Sequence, residues 1–126
     1  MESATQPNKK VVIVEDNDLN LKLFNDLLSA HGCDTVETKD GREALNLVKL
    51  NMPDLVLMDI QLPHVSGIEI IRQIKAEESI KHIPVIAVTA FAMEHDKDKI
   101  MEAGCEDYVA KPISIEAFVQ VIQKYL

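Results

Sequence analysis

Five residues hold most of the chemistry this chain could perform, and each follows a short apolar run. Glu15 and Asp16 come after VVIV, Asp59 after LVLM, Thr89 after PVIAV, and Lys111 after YVA. Brought together, they would put three carboxylates, one hydroxyl and one ammonium in one place. Two carboxylates ~5 Å apart at an effective dielectric of ~20 repel by roughly 3 kcal/mol, and a single lysine cannot cancel three such charges. A divalent cation is therefore expected. An oxygen-only donor set with room for water suits Mg²⁺, whereas zinc sites favour histidine and cysteine. Beside such an ion a carboxylate can attack a phosphoryl group and become an acyl phosphate, with neighbouring cationic and hydroxyl groups neutralising charge on the equatorial oxygens. On this reading Asp59 is the nucleophile, Asp16 the principal metal ligand and Glu15 a second ligand, directly or through water. Thr89 and Lys111 face the phosphoryl oxygens.

Taken singly, each of these residues has a plainer role: an acid after a strand often caps a helix, and a threonine often just ends its strand. The elements that position them decide the matter. The four apolar runs are rich in β-branched residues and too short for helices, and 34–38 alternates polar and apolar as an edge strand does. Between them lie helical stretches with readable starts. Asp40-Gly-Arg-Glu43 and Ser66-Gly-Ile-Glu69 each place a capping acceptor three residues before a glutamate, and Asn17 and Ser114 are caps for two more helices. Gly32 and Gly104 stand where a left-handed residue would close a helix. Five strand–helix units imply a doubly wound α/β fold with a parallel sheet covered on both faces. With the edge strand second, the order 2-1-3-4-5 follows, the flavodoxin-like (βα)5 arrangement. Ligands of such sheets bind at the carboxyl ends of the strands, where all five residues fall. Adjacent strands are only ~4.8 Å apart, so those ends converge.

The bulk numbers narrow the function classes. The chain has 126 residues, 47% of them hydrophobic, enough for one domain with its own core. A formal net charge of -8 disfavours nucleic acid and anionic membrane as partners. Two cysteines, Cys33 and Cys105, without CxxC or histidines at ligand spacing, suggest reduced thiols and neither a disulfide framework nor zinc. Residues 1–8 read as a disordered lead-in, and the longest nearly apolar run, 83–93, is far short of the ~20 residues that span a bilayer. A cytoplasmic protein is expected. Neither GxGxxG nor GxxxxGK[ST] is present, and Glu15-Asp16 would repel phosphate unless a metal intervened.

The set Glu15-Asp16, Asp59, Pro63, Gly67, Thr89-Ala90 and Lys111-Pro112, in this order and spacing over residues 9–126, resembles the receiver domain of two-component response regulators. The resemblance implies phosphorylation of Asp59 by a phosphohistidine donor, with Mg²⁺ held by Asp16, Asp59 and the backbone carbonyl of Gln61. It also implies that Thr89, Ala90 and Lys111 meet the new phosphoryl group, that the Lys111-Pro112 bond is cis, and that Tyr108 is an aromatic switch. The stretches VIVEDNDLNLKLFNDLL, LMDIQLP and VTAFAM are similar to single-domain regulators of the DivK type, which act in cell division and cell-cycle control. Partners implied are sensor histidine kinases and bifunctional kinase/phosphatases of the DivJ and PleC kind, and histidine phosphotransfer proteins. Recruitment to the cell poles by membrane-bound kinases, and a monomer or weak dimer, go with that resemblance.

With the last helix reaching Leu126, no output domain is expected, and signal must leave through a surface. In that helix Ile115, Phe118, Val119 and Ile122 form an i, i+3, i+4, i+7 stripe for the sheet, leaving Val121 and Tyr125 partly off it as a candidate partner surface. The helix near 93–103 is dense in charge with few apolar anchors, so its docking is expected to be weak and shiftable. Asn20 and Leu23 are candidates to meet the kinase near the site's mouth. Gln61 and Phe91, two residues after Asp59 and Thr89, would flank an attacking water, and Phe91 offers no group to position it, so slow self-hydrolysis is expected. Two rivals stand beside this reading. A phosphoaspartate-forming phosphohydrolase would commonly have a second acid two residues after the nucleophile, where this chain has Gln61; a pure interaction scaffold would not need the acidic, hydroxyl and lysine groups.

Overall fold

Strict alternation of side chains along the strands builds two separate cores from one sheet. The computed structural model describes residues 8–90 and 94–126, with the side chains of 94–96 excepted. Strands β1 (Lys10–Val14), β2 (Asp34–Thr38), β3 (Leu55–Asp59), β4 (Val85–Thr89) and β5 (Asp107–Ala110) alternate with helices α1 (Asp18–Ala30), α2 (Ala44–Asn51), α3 (Gly67–Ala76), α4 (Glu94–Glu102) and α5 (Ile115–Tyr125). All four strand pairings are parallel and the order is β2-β1-β3-β4-β5. One face of the sheet, with Val12, Val14, Val56, Met58, Val85 and Ala87, packs on α2, α3 and α4 through Val48, Ile70, Ile74 and Ile100. The other, with Val11, Ile13, Leu55, Leu57, Ile86 and Val88, packs on α1 and α5, where the Phe24 and Phe118 rings stack at 5.0 Å. Among the described residues, no helix is long and apolar enough to cross a membrane.

Local signals act largely as expected. Asn17, Ser66 and Ser114 cap α1, α3 and α5, and Gly32 and Gly104 have φ of +80° and +110°. The expected capping boxes form only by half. Asp40 and Ser66 accept the N–H two residues on, from Arg42 and Ile68, and Glu43 is drawn away to take the Thr38 Oγ1 hydroxyl at 2.7 Å. A 3₁₀ turn at Gly41–Glu43 therefore precedes α2.

Two expectations for α5 change. Ile115, placed in the sheet-facing stripe by periodicity, is 55% exposed because it opens the helix at the rim, beyond the last strand side chains. Val121 and Tyr125, assigned to spare apolar surface, are half-buried against the α1/α5 core, and the Tyr125 hydroxyl donates to the Glu106 carbonyl at 3.1 Å. The stripe is rotated toward the C-terminal end, so the partner surface expected from these two residues is correspondingly small.

At the opposite end from the site, Lys75 ties three segments together. Its ammonium donates to the carbonyls of Lys81 and Ile83 and to Glu106 Oε2 at 2.9 Å, while Glu106 Oε1 accepts the Val85 N–H. Removing it leaves three acceptors without their donor, one of them, the Ile83 carbonyl, partly buried. Lys75→Met is expected to lower the unfolding free energy by roughly 2 kcal/mol, read from the urea midpoint.

Candidate phosphoacceptor and metal site

Each strand stops just where its polar residue can turn into the cleft. The register pairs Val14 with Met58, Asp59 with Val88 and Thr89 with Ala110, so Glu15, Asp59, Thr89 and Lys111 stand at nearly one level of the sheet. Carboxylate oxygens of Glu15, Asp16 and Asp59 lie within 4.8 Å of one another. Glu15, Asp59 and Thr89 are buried, and Asp16 is exposed at the mouth. The Lys111 ammonium reaches Asp59 Oδ2 at 3.2 Å and Glu15 Oε2 at 3.5 Å. Asp59 Oδ1 accepts the Gln61 N–H at 2.9 Å, and Glu15 Oε2 accepts the Asn17 N–H at 3.2 Å. The Lys111-Pro112 peptide is cis.

The charge balance is incomplete. Burial, followed by the nearby Asp59 carboxylate, pushes the Glu15 carboxyl up to about 7 against the pull of Lys111. Glu15 Oε1 is buried and has no hydrogen-bond partner. An orphaned buried oxygen beside two more carboxylates is what a hard cation would satisfy, and the donor set is oxygen alone. The residues present fit Mg²⁺.

The loop after β3 holds Asp59 in place by close approach. A Cβ built on Gly67 would lie 2.3 Å from the Asp59 carbonyl oxygen and 2.7 Å from the Ile60 Cα, so α3 can begin there only with glycine. The Gly67 N–H donates to the Ile60 carbonyl at 3.2 Å. This space requirement is the structural content of the Pro63 and Gly67 signature.

Other expected residues fall as follows. Ala90 is exposed just beyond β4, its N–H donating to the Gln61 carboxamide Oε1 at 3.1 Å. Tyr108 is half-buried against the α2–α4 core, with the Lys97 ammonium 5.5 Å from its ring centroid. Asn20 and Leu23 are half-buried on α1. Phe91, most of the lead-in (1–7) and the charged side chains at 94–96 lie outside the described residues. Cys33 and Cys105 are buried free thiols. One exposed apolar residue near the site was not anticipated, Leu19, 79% exposed on the first turn of α1; Ile115 is the other at this end. Both open helices that directly follow β1 and β5, so both sit at the site's end of the sheet. The signal for Leu19 was a leucine directly after the Asn17 cap, too early in the helix to reach the core.

Known proteins share this arrangement. The family model described as response regulator receiver domain matches residues 11–123. The polar-differentiation response regulator DivK of Brucella ovis is 55% identical over 118 residues, 94% of this chain and 96% of that protein. Among solved structures, the receiver domain of the sensor histidine kinase PA1611 from Pseudomonas aeruginosa, with a magnesium ion coordinated in its active-site cleft, matches with a TM-score of 0.85. It is 30% identical over 94% of this chain and 97% of that one. The receiver domain of Saccharomyces cerevisiae Ssk1, crystallised with the phosphotransfer protein Ypd1, matches with a TM-score of 0.85 and 33% identity over 94% and 89% of the two chains. A match of the family model over residues 11–123, together with relatives of 30% identity and more covered nearly end to end, settles the grouping: this chain belongs to the response regulator receiver domain family.

Proposed function

We propose that the protein accepts a phosphoryl group on Asp59 from a histidine kinase or phosphotransfer protein and passes the signal on through phosphorylation-dependent protein contacts. The observation that supports this best is the buried Asp59 carboxylate, held 3.2 Å from Lys111 within one acid cluster with Glu15 and Asp16. An Asp59 oxygen attacks phosphorus, the P–N bond of the donor phosphohistidine breaks, and the imidazole nitrogen keeps the electron pair. Lys111, the Thr89 hydroxyl and the Ala90 N–H meet the phosphoryl oxygens. Asp16, Asp59, the Gln61 backbone carbonyl and Glu15, directly or through water, would hold Mg²⁺, which supplies neutralisation of charge on the transferring group. Chain geometry keeps Asp59 aimed: its two oxygens already take the Gln61 N–H and the Lys111 ammonium.

The modification is a signal rather than a turnover. Gln61 has no titrating group to act as the acid of a phosphohydrolase, and its carboxamide oxygen is engaged by Ala90. Slow loss of the phosphoryl group follows, with Gln61 and Phe91 setting its lifetime. Thr89 and Tyr108 transmit the change to α4, β5 and α5. Likeness to DivK supports a role in cell-division and cell-cycle control, in the cytoplasm and at the poles beside membrane-bound kinases of the DivJ and PleC kind.

Incubation with Mg²⁺ and a small acyl phosphate tests the reading. A mass gain of one phosphoryl group is expected, and borohydride reduction should convert Asp59 to homoserine; no adduct at Asp59 would refute it. Donor docking is expected at the N-terminal ends of α1 and α5, which follow β1 and β5 at the site's rim and carry the exposed Leu19 and Ile115, with Asn20 and Leu23 on the first turns of α1. Leu19→Asp should slow transfer from a phosphohistidine protein about tenfold relative to transfer from the small acyl phosphate, roughly the loss of one well-buried interface contact.

A further inference from the structure

The sheet continues past β3 by one false rung. Ile60 has left the strand, yet its N–H still donates to the Val88 carbonyl at 2.9 Å. Backbone groups of a strand alternate sides, so Ala90, two residues beyond Val88, turns its N–H toward the same neighbour. The Ile60 carbonyl, next in the ladder, accepts the Gly67 N–H at 3.2 Å instead. The Gln61 side chain takes its place, with Oε1 accepting the Ala90 N–H at 3.1 Å. On the other side the Thr89 carbonyl is bound by the Lys111 N–H at 2.7 Å, which fixes the peptide and with it the direction of the Ala90 N–H.

This donor stands beside Asp59 at the rim, where it would meet an oxygen of a phosphoryl group on that carboxylate. The same residue, Gln61, also gives its own N–H to Asp59 Oδ1 at 2.9 Å. One residue therefore touches the nucleophile with its backbone and the phosphoryl-binding donor with its side chain. A new phosphoryl group and the Gln61 carboxamide cannot both hold a single, well-aligned N–H.

We propose that the Gln61 carboxamide is a latch on the Ala90 N–H, competing with the phosphoryl group for that donor, so that acceptance at Asp59 requires the side chain to swing into solvent. The inference rests on the phosphoacceptor reading above and adds a regulatory element to it. Gln61 is exposed, and the freed carboxamide is hydrated at little cost, so the latch is weak: the net worth of one such hydrogen bond sets its effect at about three- to tenfold. It lowers acceptance from weak donors without blocking it, and a bound partner that draws Gln61 outward would speed the transfer. The side chain acts through Ala90 and is a positioning group.

Two variants without the acceptor, Gln61→Leu and Gln61→Met, test it in two measurements. In metal-free protein, amide exchange at Ala90 should be about three- to tenfold faster in both variants than in the parent. With Mg²⁺ and a small acyl phosphate, intact-mass kinetics should show both variants gaining the phosphoryl group about three- to tenfold faster. Equal Ala90 exchange in all three proteins overturns the latch even if the acceptance rates differ. Faster exchange with unchanged or slower acceptance overturns its regulatory role. An absence of adduct on all three overturns the phosphoacceptor reading and the regulation with it, whereas the exchange comparison still reads the hydrogen bond.

Discussion

Gly67→Ala is expected to destabilise the protein by about 3 kcal/mol and to lower the melting temperature on the order of 10 °C. The added methyl group would stand 2.3 Å from the Asp59 carbonyl oxygen and 2.7 Å from the Ile60 Cα. Both obstacles are backbone, and no rotamer change can relieve them. To make room, either the first turn of α3 withdraws from the sheet or the end of β3 moves by about an ångström. The first course opens the core at Ile70 and Ile71, which are buried between α3 and the strands. The second shifts the phosphoacceptor itself, together with the Gln61 N–H that steadies it. Acceptance from a small acyl phosphate should therefore fall by more than the loss of folded protein explains, since positional errors of this size are costly to catalysis. Thermal melts and acceptance rates at a temperature where the variant is folded separate the two effects. A melting temperature within 2 °C or so of the parent, at the precision implied by this scaling, would show that the contact is relieved more cheaply than its geometry suggests.

How much of this could be read from residues alone depends on the range of the interaction. Strands β1, β3 and β4 carry continuous apolar runs, VVIV, LVLM and VIAV, and their apolar character on both faces announces a sheet covered on two sides. Asp59, Glu15, Asp16, Thr89 and Lys111 were legible because a parallel sheet brings strand ends to one rim whatever the details of packing. Ile115 misled because periodicity gives the angle of a residue around a helix and says nothing of how far along its axis the core extends. Val121 and Tyr125 reached the core for the same reason in reverse. The Gln61–Ala90 hydrogen bond joins residues 29 positions apart through one rotamer of an exposed side chain, and no pattern in the chain encodes that. Gly67 lies between these cases: its place in the loop was visible, but only the approach of α3 to β3 shows why nothing larger fits.

The other large effect concerns Glu15 and changes sign with metal. In the fold, burial and the Asp59 carboxylate raise this carboxyl from 4.5 to about 7. A raised acid binds its proton in the folded state over a range where the unfolded chain has lost it, so stability falls as pH rises from about 4.5 to about 7 and then levels off. The difference of about 2.5 pH units between those two values corresponds to roughly 3 kcal/mol lost from metal-free protein at pH 8. Glu15→Gln keeps the shape and removes the charge. In chelator at pH 8 it is expected to be more stable than the parent by roughly 2–3 kcal/mol, allowing for imperfect pairing of the new amide. Below about pH 4.5, where Glu15 is neutral in both states, the two proteins should unfold at nearly the same denaturant concentration. Saturating Mg²⁺ should reverse the order at pH 8, because the ion stabilises whichever protein binds it more tightly and the variant has lost a carboxylate. Binding to the parent should also weaken as pH drops below about 7, where a proton competes for Glu15. Denaturant unfolding of both proteins at pH 4.5 and pH 8, with and without Mg²⁺, checks every part of this. A variant less stable than the parent in chelator at pH 8 would mean that Lys111, 3.5 Å from Glu15, compensates the buried charge, and that the acid cluster is held at equilibrium without needing a cation.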